Sequence, residues 1–145
     1  MRAILSVTNK NGIIELAQDL TDLKVEMFST GGTARAIREA GIPVTEVSKY
    51  TGSPEVMDGR VKTLHPMVFG GILSRGTKDL ADLEVLHAVE FDLVVVNLYE
   101  FAKTAAKEGV KIEEVIENID IGGPSLIRAA AKNHDRVTIL TDPAD

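Results

Sequence analysis

The chain has 145 residues, 44% of them apolar and 26% charged, with 12 Gly, 5 Pro and no Cys. That is the length of one ordinary domain. It has too much apolar material for a disordered or low-complexity chain, and no cysteine for a disulfide scaffold, a zinc–thiolate site or a thiol nucleophile. Sixteen Lys and Arg against 22 Asp and Glu leave a net charge of −6, and aromatics are only 4%. This argues against a nucleic-acid or membrane surface and against base-stacking platforms. An acidic protein that binds an anion must therefore gather its cations locally. The N-terminal MRAILSVTNK is too short in apolar run for a signal segment, and nothing approaches the ~20 apolar residues of a membrane span. The expectation is a soluble, cytoplasmic protein.

Short apolar runs alternate with amphipathic segments, the pattern of a three-layer α/β domain with a mostly parallel central sheet. Ala3 to Val7 predicts a buried strand, and Ile13, Ile14, Leu16, Ala17 and Leu20 mark a helix over 11–22. Val25–Phe28 predicts a second strand running into Ser29-Thr30-Gly31-Gly32-Thr33. A helix over 34–40 is stopped by Gly41, and a short strand is expected over 43–47. Residues 48–66 carry Gly52, Pro54, Gly59 and Pro66 and are expected to be irregular. Val68–Leu73 is expected as a strand, 79–89 as a helix, and Asp92–Val96 as a central strand buried on both faces. Helices over about 112–118 and 124–133 and a strand over 137–140 complete one domain. The chain ends directly after that strand, so either the strand lies at an edge or the sequence is a piece of a longer protein.

Four segments could carry chemistry. In Ser29–Thr33, adjacent glycines let backbone N–H groups approach a phosphate at a helix N-terminus, and Thr8-Asn9-Lys10 would add polar groups at the same sheet edge. A plain strand-to-helix turn explains Ser29–Thr33 equally well. In Asp58-Gly59-Arg60-Val61-Lys62-Thr63-Leu64-His65-Pro66, Arg60 and Lys62 at spacing two could face one anion or simply line a solvated loop. The irregular stretch 48–66 that contains it outruns the ~12–15 residues of ordinary connections, and such stretches are often functional. His65 could serve as a base or as a hydrogen-bonded structural residue. Asn97-Leu98-Tyr99 ends the central strand, where α/β folds bind ligands. Asp120 precedes Gly122-Gly123-Pro124, which open a helix bearing Arg128 and Lys132 on one face. His65, His87 and His134 have no ligand-like spacing for a metal.

The strings SVTNK, STGGTA, VSKYTGSPEVMDGRVKTLHP, VVVNLYEF and IDIGGPSLIRAAAKNH together resemble the IMP cyclohydrolase family, the cyclohydrolase half of the bifunctional purine-biosynthesis enzymes AICAR transformylase/IMP cyclohydrolase. They stand in family order over nearly the whole chain. The resemblance implies a methylglyoxal synthase-like fold that closes a formylated aminoimidazole carboxamide ribonucleotide to IMP, with no cofactor and no metal. By motif, Thr8, Asn9, Lys10, Ser29, Thr30, Gly31, Gly32 and Thr33 would hold the 5′-phosphate, and Arg60 and Thr63 would bind substrate. Lys62, Tyr99, Asp120 and Lys132 would be catalytic, while Asn97, Gly122 and Gly123 orient the reacting groups. A homodimer and a transformylase domain in the full-length protein are also implied. The sequence departs from the family at Thr8-Asn9-Lys10-Asn11, at Glu100 and at Met67-Val68-Phe69. The same fold would also suit a methylglyoxal synthase or an allosteric effector-binding domain such as that of carbamoyl phosphate synthetase.

Overall fold

In the computed structural model, which describes Met1–Asp145, the chain enters as β1 (Arg2–Ser6), whose Ala3, Ile4 and Leu5 have no exposed surface. α1 (Ile13–Asp22) follows and buries Ile13, Ala17 and Leu20 along one stripe. Next come β2 (Glu26–Ser29), α2 (Gly31–Glu39), β3 (Thr45–Glu46) and α3 (Val47–Thr51). A 3₁₀ turn at Met57–Gly59 leads to α4 (Pro66–Leu73), and a second at Gly76–Lys78 to α5 (Leu80–Leu86). β4 (Leu93–Val96), α6 (Phe101–Ala105), α7 (Ile112–Glu117), α8 (Gly122–Lys132) and β5 (Thr138–Leu140) complete the fold.

The five strands form one sheet in the order β3-β2-β1-β4-β5, and every pairing is parallel. Ile4 sits opposite both Phe28 and Val94, and Val94 opposite Ile139. Side-chain alternation then sorts the core into two layers. Ile4, Phe28, Val94 and Val96 meet Val68, Ile72, Leu126 and Ala129 from α4 and α8. Ala3, Leu5, Met27 and Val95 meet Ile13, Ala17, Leu20 and Ile37 from α1 and α2. Burial on both faces explains why β4 reads as an unbroken apolar run. β5 lies at a sheet edge. No helix is long and apolar enough to cross a membrane.

Several expectations change. Val68–Leu73 is not a strand but most of α4. The segment is apolar all round, so no period separates helix from strand. Its start is set instead by Pro66 in the first turn and by His65, whose Nδ1 accepts the Met67 N–H at 3.2 Å. Gly71 lets α4 press onto the segment that leads into β4, since a methyl group there would run into the Val89 carbonyl and the Phe91 ring. The stretch 48–66 is not wholly irregular, because α3 occupies its beginning and Pro66 belongs to α4. β3 is only two residues long. The 79–89 helix ends at Leu86, where His87 turns left-handed with φ 52°. α6 was not expected, and Gly31–Gly32 form the first turn of α2 rather than a loop before it.

Candidate active site

The chain runs β1, β2, β3 to one side of the sheet and then returns to place β4 on the other side of β1. Ligands of open α/β sheets bind at such a reversal, beyond the carboxyl ends of the strands. A cleft of about 700 Å³ lies there, lined from β1 by Ser6 and Val7, from β2–α2 by Thr30, Gly32 and Thr33, and from β4 by Val96. The segments 58–63 and 116–123 form its remaining walls. Thirteen of the predicted positions line it: Thr8, Lys10, Thr30, Gly32, Thr33, Arg60, Lys62, Thr63, Asn97, Tyr99, Asp120, Gly122 and Gly123.

One end of the cleft is cationic. A methyl group on Gly31 would lie 3.2 Å from Nζ of Lys62, and one on Gly59 3.3 Å from it. A methyl on Gly32 would lie 3.6 Å from Nζ of Lys10. Both ammonium groups therefore crowd the N-terminus of α2, where unpaired N–H groups and the helix dipole already add positive charge. Neither lysine belongs to an ion pair. Lys10 donates only to the Thr8 carbonyl, at 3.3 Å. Two ammonium groups on a helix N-terminus repel each other, and a small anion between them would relieve that repulsion.

The hydroxyls expected to hold a phosphate are mostly turned inward. Ser29 Oγ donates to the Leu5 carbonyl at 2.7 Å and has no exposed surface. Thr33 Oγ1 accepts the Val7 N–H at 3.1 Å and donates to the Val7 carbonyl at 2.9 Å. Thr30 shares a hydrogen bond with Ser6 across 3.0 Å. These bonds tie β2 and α2 to β1 and position the glycine backbone that faces the cleft. Asn97 works similarly: its Oδ1 accepts the N–H groups of Thr8 and Asn9 at 2.7 and 3.0 Å, and its Nδ2 donates to the Asn9 carbonyl at 2.8 Å. Its side chain thus holds the loop after β1, which leaves it less able to orient a ligand.

At the other end, Asp120 Oδ1 accepts the Gly123 N–H at 2.8 Å and Oδ2 the Tyr99 N–H at 3.3 Å. These bonds fix both oxygens, and each keeps a second acceptor lone pair. Gly123 has no room for a side chain, since a methyl there would meet Leu98 and Asp120. A methyl on Gly122 would lie 2.9 Å from the hydroxyl of Thr63, which is 4% exposed. Tyr99 is 45% exposed at the rim.

Lys132 and Arg128 are not brought into this group. The N-terminus of α8 faces the cleft, and at 1.5 Å per residue the helix carries Arg128 about 9 Å and Lys132 about 15 Å away from it. Both are exposed. Of the cations in the four candidate segments, Lys10, Arg60 and Lys62 line the cleft, and Arg128 and Lys132 do not. Sequence reasoning missed the part of the wall made by Ile116, Glu117 and Asn118, and gave Ile119 and Ile121 of the IDIGG string no role. Glu117 forms a bidentate ion pair with Arg60, and that carboxylate pushes the guanidinium pKa further above its usual value. No spacing signal announces a pairing between residues 57 positions apart.

Residues 12–125 match the MGS-like domain family. The chain belongs to that family. Over 144 residues, 99% of the chain, it is 60% identical to the bifunctional purine biosynthesis protein PurH of Sorangium cellulosum (strain So ce56). It spans 28% of that protein's length. Among solved structures, the crystal structure of ForH matches 100% of this chain and 74% of its own, at 38% identity and a TM-score of 0.88. The MGS-like domain described here therefore shares both sequence and backbone course with proteins whose own chains are longer.

Proposed function

We propose that this MGS-like domain serves purine biosynthesis by closing a formylated 5-aminoimidazole-4-carboxamide ribonucleotide to IMP with loss of water. The observation that carries the reading is one cleft holding two unpaired lysines on the N-terminus of α2 at one end and Asp120 with Tyr99 at the other. The 60% identity to PurH supports it.

In this reading the 5′-phosphate lies on the Gly31–Gly32 backbone beside Lys10, the flexible Lys62 side chain swings from Gly31 toward the reacting groups, and Arg60 and Thr63 contact the rest of the ribonucleotide. The carboxamide nitrogen attacks the formyl carbon and forms the new C–N bond. Asp120, held by two N–H donors, takes the proton released from that nitrogen. The Lys62 ammonium stabilises the negative charge developing on the formyl oxygen, which takes one proton from the Tyr99 hydroxyl and a second from Asp120 as the C–O bond breaks and water leaves. The formamide nitrogen forms the ring C=N bond and gives its proton to the Tyr99 phenolate, so both side chains return to their starting states. Both reacting groups belong to one molecule, so holding them in register supplies much of the acceleration. Lys132 stands outside the cleft of a single chain, and these steps draw on Lys62, Tyr99 and Asp120. By the same resemblance, we propose that the domain works as a homodimer, beside a transformylase domain in a longer protein.

A second reading, a nucleotide-binding domain without turnover, is favoured by the distant Lys132. Absorbance assay of this chain for IMP formation from the formylated ribonucleotide separates the two. Turnover is expected. A folded sample that binds IMP without turnover overturns the catalytic reading, as does methylglyoxal formation from dihydroxyacetone phosphate.

A further inference from the structure

The wall formed by 116–121 is held in place in an unusual way. α6 buries only Thr104 and α7 buries no residue, and the two short helices pack on each other. Ile112, Ile116 and Ile119 lie along α7 and just beyond it and are 63%, 55% and 51% exposed. Hydrophobic burial therefore does little to hold α7 against the domain. The Lys107–Glu114 ion pair, at 3.4 Å, stays within the α6–α7 hairpin. By contrast, the pair between Arg60 and Glu117 spans the mouth of the cleft, with Nε and Nη2 of the guanidinium meeting the two carboxylate oxygens of the last residue of α7.

Arg60 leaves the chain directly after a left-handed run, Met57, Asp58 and Gly59 at φ 52°, 53° and 82°. That run sets where the Arg60 backbone stands, and its side chain then has one ionic partner, Glu117. We propose that Glu117 is a positioning residue: it holds Arg60 across the cleft mouth and, through the same two bonds, pins the 116–119 part of the cleft wall, ahead of Asp120 with its own bonds to Tyr99 and Gly123. Arg60 is thereby preset toward the ligand without rotamer search, and an exposed pair of this kind exchanges partners readily. The kinetic part of this inference rests on the function proposed above; the structural part does not.

Hydrogen exchange and kinetics on the whole chain test it together. Glu117→Gln is expected to speed amide exchange over 101–121 in the ligand-free protein by about two- to five-fold, the range an exposed pair supports. It should also raise KM for the formylated ribonucleotide by more than it lowers kcat. The charge-swapped Arg60→Glu/Glu117→Arg variant is expected to restore slow exchange but not KM, because the cation then stands on α7. A merely structural wall would not separate those two readouts. Unchanged exchange in Glu117→Gln overturns the inference, as does a folded swap variant that exchanges as fast as Glu117→Gln. If the wild-type chain shows no turnover, the function reading fails, and the exchange measurements still decide the role of Glu117.

Discussion

The two ends of the central sheet treat their cations in opposite ways. At the amino ends of β4 and β5, Arg136 donates to the carbonyls of Gly71, Ile72, Ser74 and Phe91 at 2.7 to 3.1 Å, with the carboxylates of Glu90 and Asp92 at 3.8 and 3.7 Å. Asn133 adds 2.7 Å bonds to the carbonyls of Ile72 and Ser74, and Asp92 accepts the Arg2 N–H at 2.8 Å. These groups close the last turn of α4 and join it to α8, β1 and β4. At the carboxyl ends of β1 and β2, Lys10 and Lys62 stand on a helix N-terminus with no ion-pair partner. A satisfied polar network stabilises one state, whereas ammonium groups without an ion pair on a helix N-terminus, even with the Glu55 carboxylate nearby, keep donors free for an anionic ligand. The first end holds the fold, and the second is poised to bind.

The strongest way to break this contrast is to exchange the consequences. Arg136→Ala removes four charge-assisted hydrogen bonds, leaves the Phe91 carbonyl without its donor, and is expected to cost about 3–5 kcal/mol in urea unfolding, with ligand affinity retained where the protein stays folded. Lys62→Ala should do the reverse: turnover falls by about 100-fold or more, and stability holds within about 0.5 kcal/mol. IMP at 100 times its Kd is expected to add about 2.7 kcal/mol to wild-type stability, and Lys10→Ala and Lys62→Ala should lose most of that gain. A Lys62→Ala protein that is strongly destabilised would show that the cationic end also holds the fold.

A smaller test lies away from both ends. The Arg75 guanidinium bonded to Asp79 holds its carboxyl at about 2, below its ordinary 3.8. The native carboxyl binds its proton more weakly than the unfolded one. The pair therefore stabilises above about pH 4, and the contribution disappears as the pH falls toward 2. Arg75→Ala should flatten that part of the stability–pH curve. The smallest effect concerns His87, which sits at φ 52° beyond α5. His87→Gly relieves that backbone and is expected to gain on the order of 0.5–1 kcal/mol in the same melts, leaving the cleft untouched.

Much of the architecture was legible because its signals are local. β1 and β4 announce themselves by consecutive apolar residues, and α1 and α8 by their stripes. α4 escapes the periodicity argument because a segment apolar on every side carries no period; Pro66 and the His65 cap start it, and Gly71 lets it pack closely against Val89 and Phe91. Most of the candidate site was also legible: Lys10, Arg60, Lys62, Tyr99 and Asp120 converge on one cleft as their motifs suggested. The inward turn of Ser29, Thr33 and Asn97 was not, since whether a hydroxyl or amide faces a ligand or a neighbouring strand depends on strand order.

The sequence by itself determined the class of fold, the parallel sheet and the residue types available for chemistry, because periodicity, breakers and composition act over a few neighbouring residues. Only the tertiary structure decided that Lys132 lies about 15 Å along α8 from the cleft, a consequence of which helix end meets the sheet edge. It alone paired Arg60 with Glu117 and surrounded Arg136 with carbonyls. Those partners stand 57 and 65 positions apart, and chain distance carries no information about which charges a fold brings together.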